Sequence, residues 1–439
     1  MPQPADIAHL LRRAGFGGTA AQIATLASQD WATTVDQLLD FSAAPADTEP
    51  PFLTADMGDW EKEFNLQAWW LDRMATSTTP LQEKLTLFWH GHFATANSKV
   101  DDALLMYRQN SLFRSMASAG FRDLVQQMSL QPAMLIWLDN DPNEKGNPNE
   151  NFARELMELF TLGVDQYTQD DVVASARAWT GHNTLDSDRT QYHFYPNRHD
   201  YGLKTFMGVT QAWDGPDIVN FILRDDPTHK NIAARFIATK MWEFFAYPNP
   251  DGYVIADLAY AFLTSDLSIA ALVRAIFNHP AFLSPAAKQG LVRTPVEWVV
   301  ACIRAVGMSA TDANPQWWMS DMGQQLFEPP NVSGWRPNEY WLTTSRLWAR
   351  ASWTRYIIWK DNIAKTNVGD TLSGIVSMSV ANAVQHAFDV LGVDSPSSHT
   401  RGQLEAWLTG QRADHKAWTN WSFINLLTLV MLSPEVNLA

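Results

Sequence analysis

The chain has 439 residues, 46% hydrophobic and 18% charged, with one cysteine, Cys302. A chain of this length buries a large core without staples, and one cysteine excludes both an intramolecular disulfide and a cysteine-cluster zinc site. The 32 Lys+Arg against 47 Asp+Glu leave a net charge of −15, which argues against nucleic acid or an anionic membrane surface as the main ligand, since both need a basic patch.

The chain opens with MPQPADIAHLLRRAGFGG, whose apolar stretch is broken by Arg12 and Arg13, so no signal-peptide core is expected. No apolar run of about 18 residues occurs, so no membrane span is expected. As written the chain reads as cytoplasmic, and as periplasmic or secreted if a leader has been removed. Residues 60–76 place Phe64, Ala68, Leu71 and Ala75 on one helical stripe. Thr79, Pro80 and Gln82 predict a capping box opening the helix that runs through LQEKLTLFWH. Two helices are predicted over 102–118 and 120–128, hinged at Gly120, with a short one after Gln131-Pro132. The polar loop DNDPNEKGNPNE follows; it resembles a calcium loop in composition, but its spacing after the glycine is wrong. Asn149 is expected to cap NFARELMELFTLG, which Gly163 ends, and Thr168 with Asp171 forms a second capping box.

Residues 183–214 then read as a long irregular excursion with at most one small hairpin at QYHFY. Helices resume at about 216–224, 230–246, 254–264, 267–278 and 288–306, and after a second irregular segment, 326–341, at 343–364, 372–392, 402–409 and 417–432. The predicted fold is all-α: a large multi-helix, bundle-like body over 1–439 with two elaborated loops, and with 343–439 as a candidate C-terminal helical subdomain. Of the 20 tryptophans, Trp69, Trp89, Trp137, Trp179 and Trp242 sit among apolar helical neighbours and are expected in the core. Trp213, Trp335 and Trp341 sit in irregular segments, where stacking on a sugar ring is the alternative to sealing the core.

Several phrases carry a resemblance: HLLRRAGFG, LQEKLTLFWHGHF, QPAML followed by NPNENFARELMELFTLGVDQYT, ARAWTG, HDYGLKTFMG and GQQLFEPPNVSGW. Together they resemble the bacterial domain-of-unknown-function family numbered 1800, most clearly over 5–350. The resemblance brings no established activity. It implies a genomic neighbour resembling sulfatases or alkaline phosphatases, hence an envelope or polysaccharide setting and a sulfatase- or phosphatase-like protein as a partner.

Four groups of residues could carry chemistry. Glu83 and His90 share a helical face, and His90 with His92 forms a His-x-His that presents two imidazoles to a substrate or a divalent metal, or else satisfies buried carbonyls. Asn151, Glu155 and Glu158 form a polar stripe on an apolar helix, with Arg154 able to pair with Glu150 and Glu158. Glu155 lacks an obvious partner and is expected to have a raised pKa, suiting a general acid or base; the alternative is a buried packing network. His182, His193, His199, Asp200 and Lys204 surround the excursion, either as a base with its orienting carboxylate, a cation site, or a solvated loop. Gln324, Pro329, Pro330, Asn331, Trp335, Trp341 and Arg346 form the fourth group: Pro-Pro-Asn with Ser-Gly-Trp stiffens the second loop and displays an aromatic, which with amide and Arg side chains suits sugar recognition, or else Trp335 seals the core.

The leading expectation is a pocket hydrolase acting on a carbohydrate or envelope glycan. Glu155 serves as general acid or base, and Asp200 or Glu158 as the partnering carboxylate. His90, His92, Asn151, Arg154, His199, Lys204, Asn331 and Trp335 position the substrate. Two alternatives stand beside it: a non-enzymatic binding or assembly partner of the phosphatase-like neighbour, and a His/carboxylate metalloenzyme using His90 and His92. The sequence requires no cofactor.

Overall fold

The computed structural model describes residues 1–359, 377–393, 396–413 and 420–439. Its regular structure is almost entirely helical, as the 3.6-residue periodicity predicts. The stretches 360–364, 372–376 and 417–419, expected to be helical, lie outside the described residues. Two two-stranded antiparallel sheets are present, both in the excursion: β1 (His182–Leu185) with β2 (Asp188–Phe194), and β3 (Lys204–Phe206) with β4 (Val209–Gln211). The QYHFY run lies in β2, and the second hairpin closes at Met207-Gly208, both with positive φ.

The body holds two main hydrophobic cores. The first is built from residues up to Phe282, with Trp89, Phe93, Phe121, Phe160, Trp179 and Trp242 at its centre. The second joins N-terminal residues such as Trp70, Leu71 and Met106 to Trp298, Trp353, Phe388 and Leu427. The helix Pro80–His92 forms the wall between them. Leu81, Leu85, Phe88 and Trp89 face the first core, and Leu87 faces the second. From Leu81 to His92 only Gly91 is not buried.

Such burial forces the two charges of this helix to find partners inside the protein. Glu83 accepts hydrogen bonds from Trp70 Nε1 at 2.9 Å, Arg73 Nε at 2.7 Å and Arg114 Nε at 2.7 Å. Asp47 shares the two arginines. Lys84 Nζ pairs with Glu297 and donates to the Gly15 carbonyl at 3.3 Å. Burial pushes the Glu297 carboxyl up, but Lys84 and Arg13 hold it below the usual carboxylate range. Glu297 also closes a capping box with Thr294 at the start of the helix Pro295–Val306.

Local signals formed with one exception. Asn149 caps its helix through Asn151 N at 2.9 Å, and Thr168 with Asp171 forms the expected box. The box expected at Thr79 and Gln82 does not form: Thr79 caps no backbone amide, and the Gln82 side-chain amide instead donates to the Arg114 carbonyl at 3.2 Å. The Arg114 carbonyl, which also accepts from Ala117 N at 3.3 Å, takes the Gln82 amide as a second donor in a buried setting, where a tertiary hydrogen bond is worth as much as the cap.

The Lys84–Glu297 pair yields a stability prediction. Glu297→Gln leaves a buried ammonium without its counter-charge and should lower the unfolding free energy by about 3–5 kcal/mol. A reduced midpoint in urea unfolding at neutral pH measures it; an unchanged midpoint contradicts the assigned role.

Candidate functional site

The helix Gln169–Ala178 delivers the chain to Trp179, Thr180 and Gly181, where β1 begins. Gly181 has φ +80°, and a Cβ there would lie 2.7 Å from the Tyr195 carbonyl oxygen and 3.1 Å from His199 N. Only glycine permits that approach, which brings the end of β2 and the following turn against the start of β1. The polar loop before this region is its scaffold. Asn140 Nδ2 donates to the His182 carbonyl at 2.8 Å, Asn183 Nδ2 to the Asn140 carbonyl at 2.9 Å, and Asn143 Nδ2 to the Ala176 carbonyl at 3.1 Å. The composition that mimics a calcium loop thus serves to satisfy buried backbone groups.

Three potential metal ligands meet on this scaffold. His182, His199 and Asp214 each offer one donor atom, all within 4.8 Å of one another. His182 Nε2 is 2.8 Å from Asp214 Oδ1, and His199 Nε2 is 4.0 Å from the same oxygen. His199 Nδ1 lies 2.7 Å from the Thr180 carbonyl, an acceptor only, so Nδ1 donates there and Nε2 is the nitrogen that faces Asp214. His182 Nδ1 is 2.9 Å from the Tyr192 hydroxyl. Ring orientation by a carbonyl or hydroxyl behind the ligating nitrogen is the arrangement metal-binding histidines require.

Aromatic walls surround the cluster: Trp179 and Phe194 lie 5.0 and 4.9 Å from the His182 ring, and Tyr201 lies 4.6 Å from that of His199. Both histidine side chains are 4% exposed, whereas that of Asp214 is 42% exposed, so the cluster is reached from the Asp214 side. Burial pushes the Asp214 carboxyl up, but the His182 hydrogen bond and the Gly215 amide hold it below its usual range, as an ionised ligand. Asp214 also caps the helix Gly215–Asn220. Gly215 follows because a Cβ there would sit 2.5 Å from the Trp179 ring.

The other sequence-predicted residues fall elsewhere. Asp200 Oδ2 accepts from Arg177 Nε at 2.7 Å and Oδ1 from Gly202 N at 2.8 Å; against partial burial these contacts hold its pKa low. His199 and Asp200 therefore point to different partners. Lys204 is buried and donates to the carbonyls of Asp200, Gly202 and Trp213, clamping the excursion. His193 is exposed. Glu155 is half-buried, and burial followed by Glu158 raises its pKa, as expected from its lack of a partner. Glu158 accepts from the Tyr167 hydroxyl. Arg154 pairs with Glu150 at 3.1 Å and donates to Gln169 at 2.9 Å, and Asn151 is exposed. The helix switches to π-helical over Leu156–Thr161, with Leu162 N donating to the Met157 carbonyl at 2.8 Å.

His90 and His92 diverge. His90 Nε2 accepts from Phe327 N at 3.1 Å, among the rings of Trp70, Phe327 and Trp335. His92 Nε2 bonds the Phe160 carbonyl at 3.0 Å, while its Nδ1 is buried with no hydrogen-bond partner. Burial lowers the His90 pKa to about 3 and holds that of His92 well below its ordinary value, so both rings are neutral. The second loop packs on this helix end. Gly334 has φ +75°, and a Cβ there would meet the Gly91 carbonyl at 2.4 Å. Asn331 is exposed and turns its own loop through Ser333 N at 2.9 Å, and Trp335 is half-buried against His90. The stacking alternative for Trp213 and Trp341 does not hold: they are 4% and 1% exposed, drawn into the core by apolar neighbours.

Asp214, Tyr192 and Thr180 were not singled out from the sequence. The Asp214–Asp217 capping box was the one available signal, and it marks a helix start, not a ligand.

The chain belongs to the DUF1800 family, described as a protein of unknown function, whose model matches residues 9–438. No curated protein and no solved structure matches it. Among the described residues no helix is long and apolar enough to cross a membrane.

The buried neutral His90 gives a pH dependence. Its folded pKa lies below the unfolded value of 6.5, so its contribution is complete above 6.5 and is lost progressively as pH falls toward 3. His90→Gln keeps an acceptor for Phe327 N and should flatten the decline of unfolding free energy between pH 6 and 4. Parallel pH profiles for variant and wild type would contradict it.

Proposed function

We propose that this DUF1800 protein is a metal-dependent enzyme of hydrolytic type, with a divalent transition ion held by His182, His199 and Asp214. The observation that carries the reading is the convergence of two oriented imidazoles and an ionised carboxylate within 4.8 Å. Imidazole with carboxylate is the donor set of zinc and of neighbouring first-row ions. Such an ion would be held by His182 Nε2, His199 Nε2 and an Asp214 carboxylate oxygen. It would displace the proton between His182 and Asp214.

Two buried histidines and a solvent-facing carboxylate leave the remaining coordination positions on the Asp214 side. A divalent ion held by these residues would supply Lewis acidity and would lower the pKa of a water molecule on the open side. Thr180 and Tyr192 orient the histidines, and Trp179 and Phe194 shield the His182 ring from water on the side away from Asp214's exposed face. The substrate class we propose is a carbohydrate or envelope glycan.

The test is metal content and affinity. Chelator-stripped protein titrated with Zn²⁺, Mn²⁺ or Fe²⁺ should bind one ion per chain. His199→Ala and Asp214→Ala should weaken binding by about 100-fold or more while thermal unfolding stays cooperative. Failure to bind any of the three ions, or equal binding by the variants, sinks the proposal.

A second reading rests on the raised carboxyl of Glu155: acid catalysis on a glycan, with Glu158 as the neighbouring carboxylate. Its mark would be a glycan-hydrolysing activity that survives chelation and falls about 100-fold or more in Glu155→Gln. Activity that is abolished by chelation and insensitive to Glu155→Gln excludes it.

A further inference from the structure

Most of the large aromatics are buried, but three rings that take no part in the histidine cluster gather at the surface. Trp60 is 64% exposed and Trp317 61% exposed. With Phe64 they form one group: Trp60 stacks on Phe64 at 5.6 Å and 25°, Trp317 lies 4.8 Å from Phe64, and Trp60 lies 5.9 Å from Trp317. Trp60 and Phe64 are one turn apart on the helix Asp59–Thr76, and Trp317 comes from the helix Gln316–Met322. Two indoles left this exposed keep most of their apolar surface in water, so core packing does not explain them.

The platform continues into a cavity of about 300 Å³ lined by Asn314, Trp317, Trp318, Asp321 and Tyr356. Trp317 is common to both. Asn314 is held in the left-handed region, φ +41°, and its amide donates to the Tyr356 hydroxyl at 3.3 Å. Asp321 is exposed. The lining therefore offers a carboxylate, an amide, a phenol and two indoles, with no lysine or arginine among the five.

That chemistry selects its ligand. A phosphate, sulfate or uronate would meet Asp321 with no cation among the described lining residues to offset it. A lipid tail or a hydrophobic peptide side chain would displace water from the Asp321 carboxylate and offer no donor in its place. A neutral sugar ring matches both parts: its C–H face lies on an indole, and its neighbouring hydroxyls reach the carboxylate and amide. We propose that Trp60, Trp317, Trp318, Asn314, Asp321 and Tyr356 form a binding site for a neutral carbohydrate chain, with one sugar unit in the cavity and the next across the Trp60–Trp317 platform. It is independent of the histidine cluster and stands or falls separately.

Affinity electrophoresis through gels containing soluble xylan, mannan, hydroxyethylcellulose or glycol chitin tests it. Retardation by at least one of these neutral or near-neutral polymers is expected. Trp317→Ala and Asp321→Asn, both at exposed positions, should weaken that retardation about tenfold or more without changing the melting temperature. His199→Ala should bind like the wild type, which separates this site from the metal reading. Three results overturn the proposal: no retardation by any of the four polymers, retardation unaffected by Trp317→Ala, or retardation by the anionic polymers alginate and pectate alone.

Discussion

A helix that separates two hydrophobic cores has no face left for water, and Pro80–His92 is such a helix. Its charged residues are adjacent, so their side chains leave on different sides, and each must be neutralised by a different part of the chain. Glu83 draws in Arg73, Arg114, Trp70 and, through the arginines, Asp47. Lys84 reaches across to Glu297. These contacts tie the N-terminal helices to those after residue 295 at one buried place. Buried pairs of this kind often contribute less net stability than apolar substitutes of the same shape, but breaking one partner is costly. The consequence is registration: two cores with separate hydrophobic content are held in one relative arrangement by charge that has nowhere else to go.

The same helix explains why its histidines behave unlike their sequence pattern. His-x-His at a helix end resembles a ligand pair, but successive side chains on a helix diverge by about 100° per residue, so positions two apart point well away from each other. One ring goes to the Phe327 amide and the other to the Phe160 carbonyl. The excursion brings its histidines together by a different route. There, β1 and the turn after β2 are brought face to face by Gly181, and convergence comes from tertiary approach rather than spacing.

Much of the fold was legible in the sequence because it rests on local rules. The capping boxes at Thr168 and Ser/Thr-type starts elsewhere, the stop at Gly163 and the helical stripes depend on residues within one or two turns. What could not be read depends on closure. Thr79 and Gln82 satisfy the capping pattern, yet Gln82 answers to a carbonyl 32 residues away. Asp214 lies distant in sequence from His182 and carries no motif with it; its meeting with the histidines follows from Trp179 filling the space beside Gly215. Glu155 was legible as a carboxyl without a dedicated partner, because that followed from counting charges on one helix. The π-helical turn just beyond it has no compositional mark, since it changes only which carbonyl each amide reaches.

His182, His199 and Asp214 all belong to the single excursion that Lys204 clamps from within through three carbonyls. The clamp is made of backbone acceptors, so it holds only while the local chain path is intact. Any species that engages the three side chains together shares that requirement, and its free energy of association adds to the excursion's own closing equilibrium rather than to that of the helical body. Amide exchange in β1–β4 would then slow as the cluster fills while exchange in the two cores stayed constant, making this segment an internal reporter of what the cluster holds.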